Sequence, residues 1–194
     1  MAANLHAAAE TLLASFDDIQ MSDIAAAAGI ARSSLYYYFT SRDDILFYFL
    51  RAMLDELAEA AALAANGAGD PPKRLVGVVR AQLDHFNRHP AVTHWLIAQL
   101  GRPGRPADMA ARIKIGFEEP VCRLLIEGAE DGSLRSLPDA GIGATALFGA
   151  VLVMGLRLLL AEGRVAVDKV LDLLGSVFWQ RTAPTSDFPL PGLG

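Results

Sequence analysis

The sequence predicts an all-α fold, and three observations carry that prediction. Apolar residues make up 53% of the 194-residue chain; alanine and leucine abound among them, whereas β-branched residues are fewer and scattered. The apolar runs are separated by short clusters of Gly, Pro, Asp and Ser, the residues that end helices, and no run reads as a convincing strand. The mean hydropathy of +0.31 excludes a mainly disordered chain and fits heavily buried helices.

About nine helices follow in order. Leu5, Leu12, Leu13 and Phe16 mark the first, and "SFDDIQ" breaks it. A short helix from Ser22 to Ala28, a lone Gly29 and a second short helix from Arg32 to Phe39 come next. Thr40 and Ser41 are placed to cap a long amphipathic helix over 43–65. Asp43 and Asp44 fall in its first turn, where carboxylates suit the positive end of the helix dipole. "NGAGDPP" (66–72) is the clearest breaker. The helix after it, 73–88, ends at His89-Pro90, because the residue before proline avoids the α region. A short apolar piece (91–100) leads into "GRPGRP", a rigid loop, and helices over 106–130, 139–161 and 167–181 complete the set. These spans divide the chain into 1–48, 49–182 and a tail, 183–194, expected to lack order.

Charge narrows the functional classes. The net charge is -5, so nothing global draws the chain to nucleic acid or to an anionic membrane; a nucleic-acid reading must rest on a local surface. The single cysteine, Cys122, cannot form an intrachain disulfide, and "MAANLHAAAE" lacks the basic start and apolar run of a signal peptide. The expected location is the cytoplasm.

The stretch "IAAAAGIARSSLYYYFTSRDDIL" (24–46) carries the most information. Two short helices joined at a glycine form a helix-turn-helix, whose second helix fits a major groove. Ile24, Ala25 and Ala28 face inward, the alanines letting the helices cross closely, and Gly29 takes the left-handed turn. Ile30, Leu35 and Phe39 pack against the flanking helices. Arg32, Ser33 and Ser34 then stand at the exposed start of the second helix, where side chains reach base edges and phosphates. Tyr36 and Tyr37 set rings and hydroxyls against the backbone of the duplex, and Tyr38 leans back over the scaffold.

With Asp23, Ile24, Ala25, Ala28, Gly29, Leu35, Tyr36, Phe39, Ser41 and Leu46 in place, and Arg42 where a lysine is usual, the stretch resembles the amino-terminal signature of the TetR (tetracycline-repressor-type) family of transcription regulators. The resemblance covers about the first 50 residues. It implies that Ser22, Arg32, Ser33, Ser34, Tyr36, Tyr37 and Arg42 contact a palindromic DNA operator, and that the larger domain binds an effector and forms a homodimer. Two departures concern helix caps: Gln20 stands where threonine or serine is usual, and Ala31 replaces a serine. A third concerns charge, since residues 1–50 hold only Arg32 and Arg42 as cations against six acidic residues.

In the larger domain, Ala140 to Leu156 carries no charge. That stretch falls short of a membrane span and holds four glycines, so a helix covered by its own domain and by a second subunit is the better reading. With 167–181 it offers a homodimer interface. Phe86, Trp95, Met109, Ile113, Phe117 and Met154 are candidates for lining an effector pocket, with His85, His94 and Arg112 as polar handles, although plain core is the commoner role for each aromatic taken singly. Few charges on these faces suggest a hydrophobic effector. His85 and His89 have the i, i+4 spacing of a metal-chelating pair, but no third ligand is evident, and no metal or other cofactor is expected. No catalytic motif occurs, so no enzyme is expected. The expectation is a ligand-responsive regulator, in this family most often a repressor; the rival is a dimeric helical ligand-binding module that has lost useful DNA affinity.

Overall fold

The computed structural model describes residues 20–91, 93–94 and 107–179, and every regular element among them is helical. Helices α1 (Met21–Ala27) and α2 (Arg32–Tyr38) are the short pair; α3 (Arg42–Ala65) and α4 (Pro71–Arg88) are long. Helix α5 starts as Ala107–Ile113, widens into a π turn over Lys114–Glu118 and resumes as Glu119–Glu130. Helix α6 is Ala140–Glu162, and α7 runs over Val167–Leu174 and ends in a π turn, Gly175–Trp179. These seven are the expected helices from the second onward, apart from the short piece at 91–100. The expected first helix and the tail lie outside the described residues, as does most of 91–100, of which residues 91, 93 and 94 are helical.

Two differences from expectation have local causes. The helix expected over 106–130 is interrupted because Pro120 has no N–H to offer the carbonyl four residues back. The Glu119 N–H instead bonds the Lys114 carbonyl, five residues back, which is the π geometry. Helix α4 begins two residues early because proline at the first helical position loses no bond. There the Asp70 carboxylate accepts the Lys73 N–H at 3.0 Å and caps the end.

The start of α3 is closed by a reciprocal cap. The Ser41 hydroxyl accepts the Asp44 N–H at 3.1 Å, and the Asp44 carboxylate accepts the N–H groups of Ser41 at 3.0 Å and Thr40 at 2.9 Å, together with the Thr40 hydroxyl. These bonds, the Thr40 hydroxyl's first among them, hold the Asp44 carboxyl below its ordinary range. Its folded-state value is depressed, so the stabilisation is complete above the ordinary carboxylate value and is lost as pH falls through the folded one. Asp44→Ala is expected to lower stability by about 1 kcal/mol at neutral pH. In urea titrations the difference from wild type should shrink steadily once pH drops below about 4; a pH-independent difference would contradict the cap.

Two apolar clusters organise the chain. The smaller joins Met21, Ile24, Ala25, Ala28 and Leu35 to Ile45, Phe49, Leu50, Met53 and Leu54 of α3, and also to Met109 and Ile113 of α5. The larger is built from Leu75, Val78, Val79, Leu83 and Phe86 of α4 against the inner faces of α5, α6 and α7. Helix α3 belongs to both: its first half seats the short helices, and Ala61 and Ala65 close the larger core. Ion pairs Arg74–Glu127, Arg80–Asp168 and Arg112–Asp55 lace the helices together, but at exposed positions each adds little stability.

Candidate nucleic-acid interface

The turn between α1 and α2 is a Schellman closure. Gly29, at φ 62°, is the left-handed residue; its N–H bonds the Ala26 carbonyl at 3.1 Å, and the Ile30 N–H bonds the Ala25 carbonyl at 3.0 Å. Ile30, just past the turn, packs into the smaller cluster and completes the motif with an apolar contact. Gln20 is a poor cap by its side chain, yet the start of α1 is supported from the other direction. The Asp23 carboxylate accepts the Gln20 N–H at 2.8 Å. Ala31 provides no side-chain cap to α2, as its chemistry dictates.

Leu35 alone in α2 is buried, and it is fully so. Phe39, one residue past the helix, packs edge-on against Tyr48 with ring centroids 5.6 Å apart. Held by these anchors, α2 exposes everything else: Arg32, Ser33, Ser34, Tyr36, Tyr37 and Tyr38 all meet solvent. Tyr37 is 81% exposed. The expectation that Tyr38 leans over the scaffold is corrected: it is 61% exposed and its ring meets that of Tyr37 edge-to-face at 4.9 Å.

The Arg32 guanidinium lies 5.5 Å from the centre of the Tyr36 ring, with Nη2 3.5 Å from its hydroxyl. This one-turn contact orders a cation that would otherwise sweep freely through solvent. Ser22 is exposed in the first turn of α1, and Arg42 is half-buried at the first position of α3. The described part of this head holds Arg32 and Arg42 against Asp23, Asp43 and Asp44. Two of those carboxylates, Asp23 and Asp44, are turned onto backbone N–H groups as caps. Their charge is thereby directed at helix ends rather than toward α2.

The candidates for an effector site scatter. Phe86 and Phe117 are buried in the larger core, Phe117 against Phe148 at 5.4 Å and Phe86 against Gly155. Met154 is half-buried beside them. Ile113 and Met109 belong to the smaller cluster. Trp95 lies outside the described residues. Arg112 pairs with Asp55 at the rim of a cleft of about 370 Å³ between α3 and α5, whose other walls are Leu54, Ala58, Ala111, Ile115 and Gly116. Apart from Arg112 these walls were not singled out by sequence; alanine, glycine and exposed isoleucine carry no signal that separates a cleft from a helix crossing.

His85 is fully buried on α4, and neither ring nitrogen has a hydrogen-bond partner among the described residues. Burial, reinforced by neighbouring His89, pushes its pKa down to about 4, so the ring is neutral under physiological conditions. Glu56 of α3 approaches it: the Oε1 atom is 3.8 Å from His85 Nδ1 and accepts a 2.6 Å hydrogen bond from Arg88.

Known proteins share both the short pair of helices and the whole architecture. Residues 5–49 match the family described as bacterial regulatory proteins, tetR family. An uncharacterised helix-turn-helix-type transcriptional regulator of Mycobacterium tuberculosis is 29% identical over 110 residues, covering 56% of this chain and 54% of that protein. The aligned part thus spans about half the length of the curated relative. Among solved structures, FadR of Bacillus subtilis, in complex with stearoyl-CoA, superposes with a TM-score of 0.72 at 19% identity, over 90% of this chain and 97% of that one. AibR, in complex with isovaleryl coenzyme A and operator DNA, gives 0.71 at 21% identity, over 91% and 96%. At these identities the superpositions establish the common fold. The signature at residues 5–49 is thus similar to that of the tetR family of bacterial regulatory proteins, and the chain carries it on the fold these structures share.

Proposed function

We propose that the chain is a dimeric, ligand-responsive transcription regulator that reads operator DNA through α2 and, as a repressor, is released by a hydrophobic effector. The observation that carries this reading is α2 itself: one buried leucine seats it, and Arg32, Ser33, Ser34, Tyr36 and Tyr37 face solvent at the end a major groove would receive. Dimerisation is supported by α6 and α7. Helix α6 is long and apolar enough to cross a membrane, and its own chain covers only a minority of it. Ile142, Val153 and Leu160 of α6 and Leu173 and Val177 of α7 are left exposed, an apolar surface that a second copy would cover.

The stearoyl-CoA and isovaleryl coenzyme A held by the two structural relatives favour an acyl-CoA as effector. The cleft between α3 and α5 supports the coupling: Leu54 and Ala58 in its wall sit on the helix that also seats α1 and α2. An effector that prefers one tilt of α3 changes the separation of the two reading helices, and only that difference in affinity can drive the switch. Footprinting on DNA from around the gene is expected to show two protected half-sites, centred about 34–36 Å apart, and their loss on adding long-chain acyl-CoA. Protection that survives every acyl-CoA length refutes the effector class. Absence of protection at any salt by a folded dimer leaves the rival reading, a helical binding module without useful DNA affinity, which the acidic head motivates.

A further inference from the structure

On the side of α4 facing α3, three side chains of metal-ligating type converge. His85 and His89 lie one turn apart with ring centres 4.6 Å from each other. Glu56 arrives from α3, with Oε1 3.8 Å from His85 Nδ1 and Oε2 4.0 Å from His89 Nε2. One donor atom from each residue can be chosen so that all lie within 4.8 Å of one another. We propose that Glu56, His85 and His89 form a binding site for a divalent transition metal of the Zn²⁺ class, bridging α3 and α4.

The argument begins with His85. A fully buried imidazole whose two nitrogens have no hydrogen-bond partner among the described residues is costly, because buried polar groups are almost always partnered. Its neutral ring has a lone pair to give, and the direction from which Glu56 and His89 approach is where a cation would accept it. Two imidazoles and one carboxylate are a zinc donor set; they suit hard Mg²⁺ or Ca²⁺ poorly. Tetrahedral ligation at zinc distances needs donor atoms about 3.4 Å apart, so the three groups need move inward by less than about 1 Å. Glu56 and His89 are both partly exposed, which leaves the fourth position open to water. Gln82, one turn before His85, has its Oε1 likewise buried without a partner among the described residues. It is an acceptor of the kind that orients a ligating imidazole.

Arg88 is the charged competitor. Its Nη1 is 2.6 Å from Glu56 Oε1, and its side chain is half exposed. In the metal-free protein it neutralises the carboxylate; an arriving cation displaces it into solvent. The bridge matters because Glu56 lies on α3 between Leu54, which seats the short helices, and Ala61 of the larger core. Ligation there ties α3 to α4 at the point between the two clusters.

The test uses the full chain, stripped of metal, with no DNA or effector, so its outcome is separate from that of the DNA-binding reading. Zn²⁺ competition against a chromophoric chelator is expected to give one equivalent per chain, and Co²⁺ should produce visible d–d bands. Glu56→Gln and His89→Ala, both at partly exposed positions, should each weaken Zn²⁺ binding by at least about tenfold with unchanged helical circular dichroism, whereas Cys122→Ser should bind as wild type. The absence of stoichiometric binding overturns the proposal, as does affinity unchanged in both ligand variants or lost in Cys122→Ser.

Discussion

Replacing Arg32 and Tyr37 together by alanine is expected to abolish specific operator binding while leaving folding and dimerisation unchanged. Tyr37 is 81% exposed, so its ring contributes little to the fold, and Arg32 touches only Tyr36 among the contacts described here. Exposed substitutions of this kind shift stability by about 0.5 kcal/mol or less. At a groove, by contrast, an arginine contact to a base edge is worth about 1–3 kcal/mol of discrimination. Arg32→Ala alone should weaken a specific gel shift by about 10- to 100-fold. The double variant should fall to the non-specific level. The salt dependence should also be shallow. Even if Arg32 and Arg42 of two subunits each neutralised a phosphate, the log–log slope would be no steeper than about -3.6. A double variant that binds as wild type would move the reading surface away from α2.

The second large effect lies at the crossing of α4 and α6. A methyl group placed on Gly155 would stand 2.5 Å from Cδ2 and 2.7 Å from Cε2 of Phe86, inside van der Waals contact. Phe86 is fully buried, so its ring has no open space to swing into. Gly155→Ala should therefore destabilise by overpacking, by about 1–3 kcal/mol, despite alanine's better helix propensity. Phe86→Ala should cost about 3–5 kcal/mol through the cavity it leaves. The two residues are coupled. In a Phe86→Leu background the added methyl finds room, so Gly155→Ala should cost at least about 1 kcal/mol less there. Urea midpoints at fixed protein concentration measure the cycle, so that any subunit association would weigh equally on every variant. Additive effects would show that the helices separate freely at this crossing.

What could be read in the chain divides by the range of the interaction concerned. The turn at Gly29, the cap of α3, and the seating of Ile24, Ala25, Ala28 and Leu35 all depend on neighbours within a few residues. Glycine's left-handed freedom and the spacing of apolar side chains state them directly. Tyr38 was misplaced for an equally physical reason. A helical wheel assigns its direction but not what the ring meets there, and its contact is the exposed ring of Tyr37. The π turn in α5 was missed although its cause, Pro120, is written in the chain, because proline near a helix start is also an ordinary feature.

The sequence by itself determined the helical class, the helix-turn-helix and, Tyr38 apart, which side chains of α2 are exposed, because these follow from periodicity and local hydrogen bonding. Only the tertiary structure decided that α3 serves both cores, that Arg112 meets Asp55 at the cleft, that Gly155 admits Phe86, and that Glu56 joins His85 and His89. Each of those joins residues about 30 to 70 positions apart. Their meeting is set by how whole helices cross, and no local preference encodes a crossing.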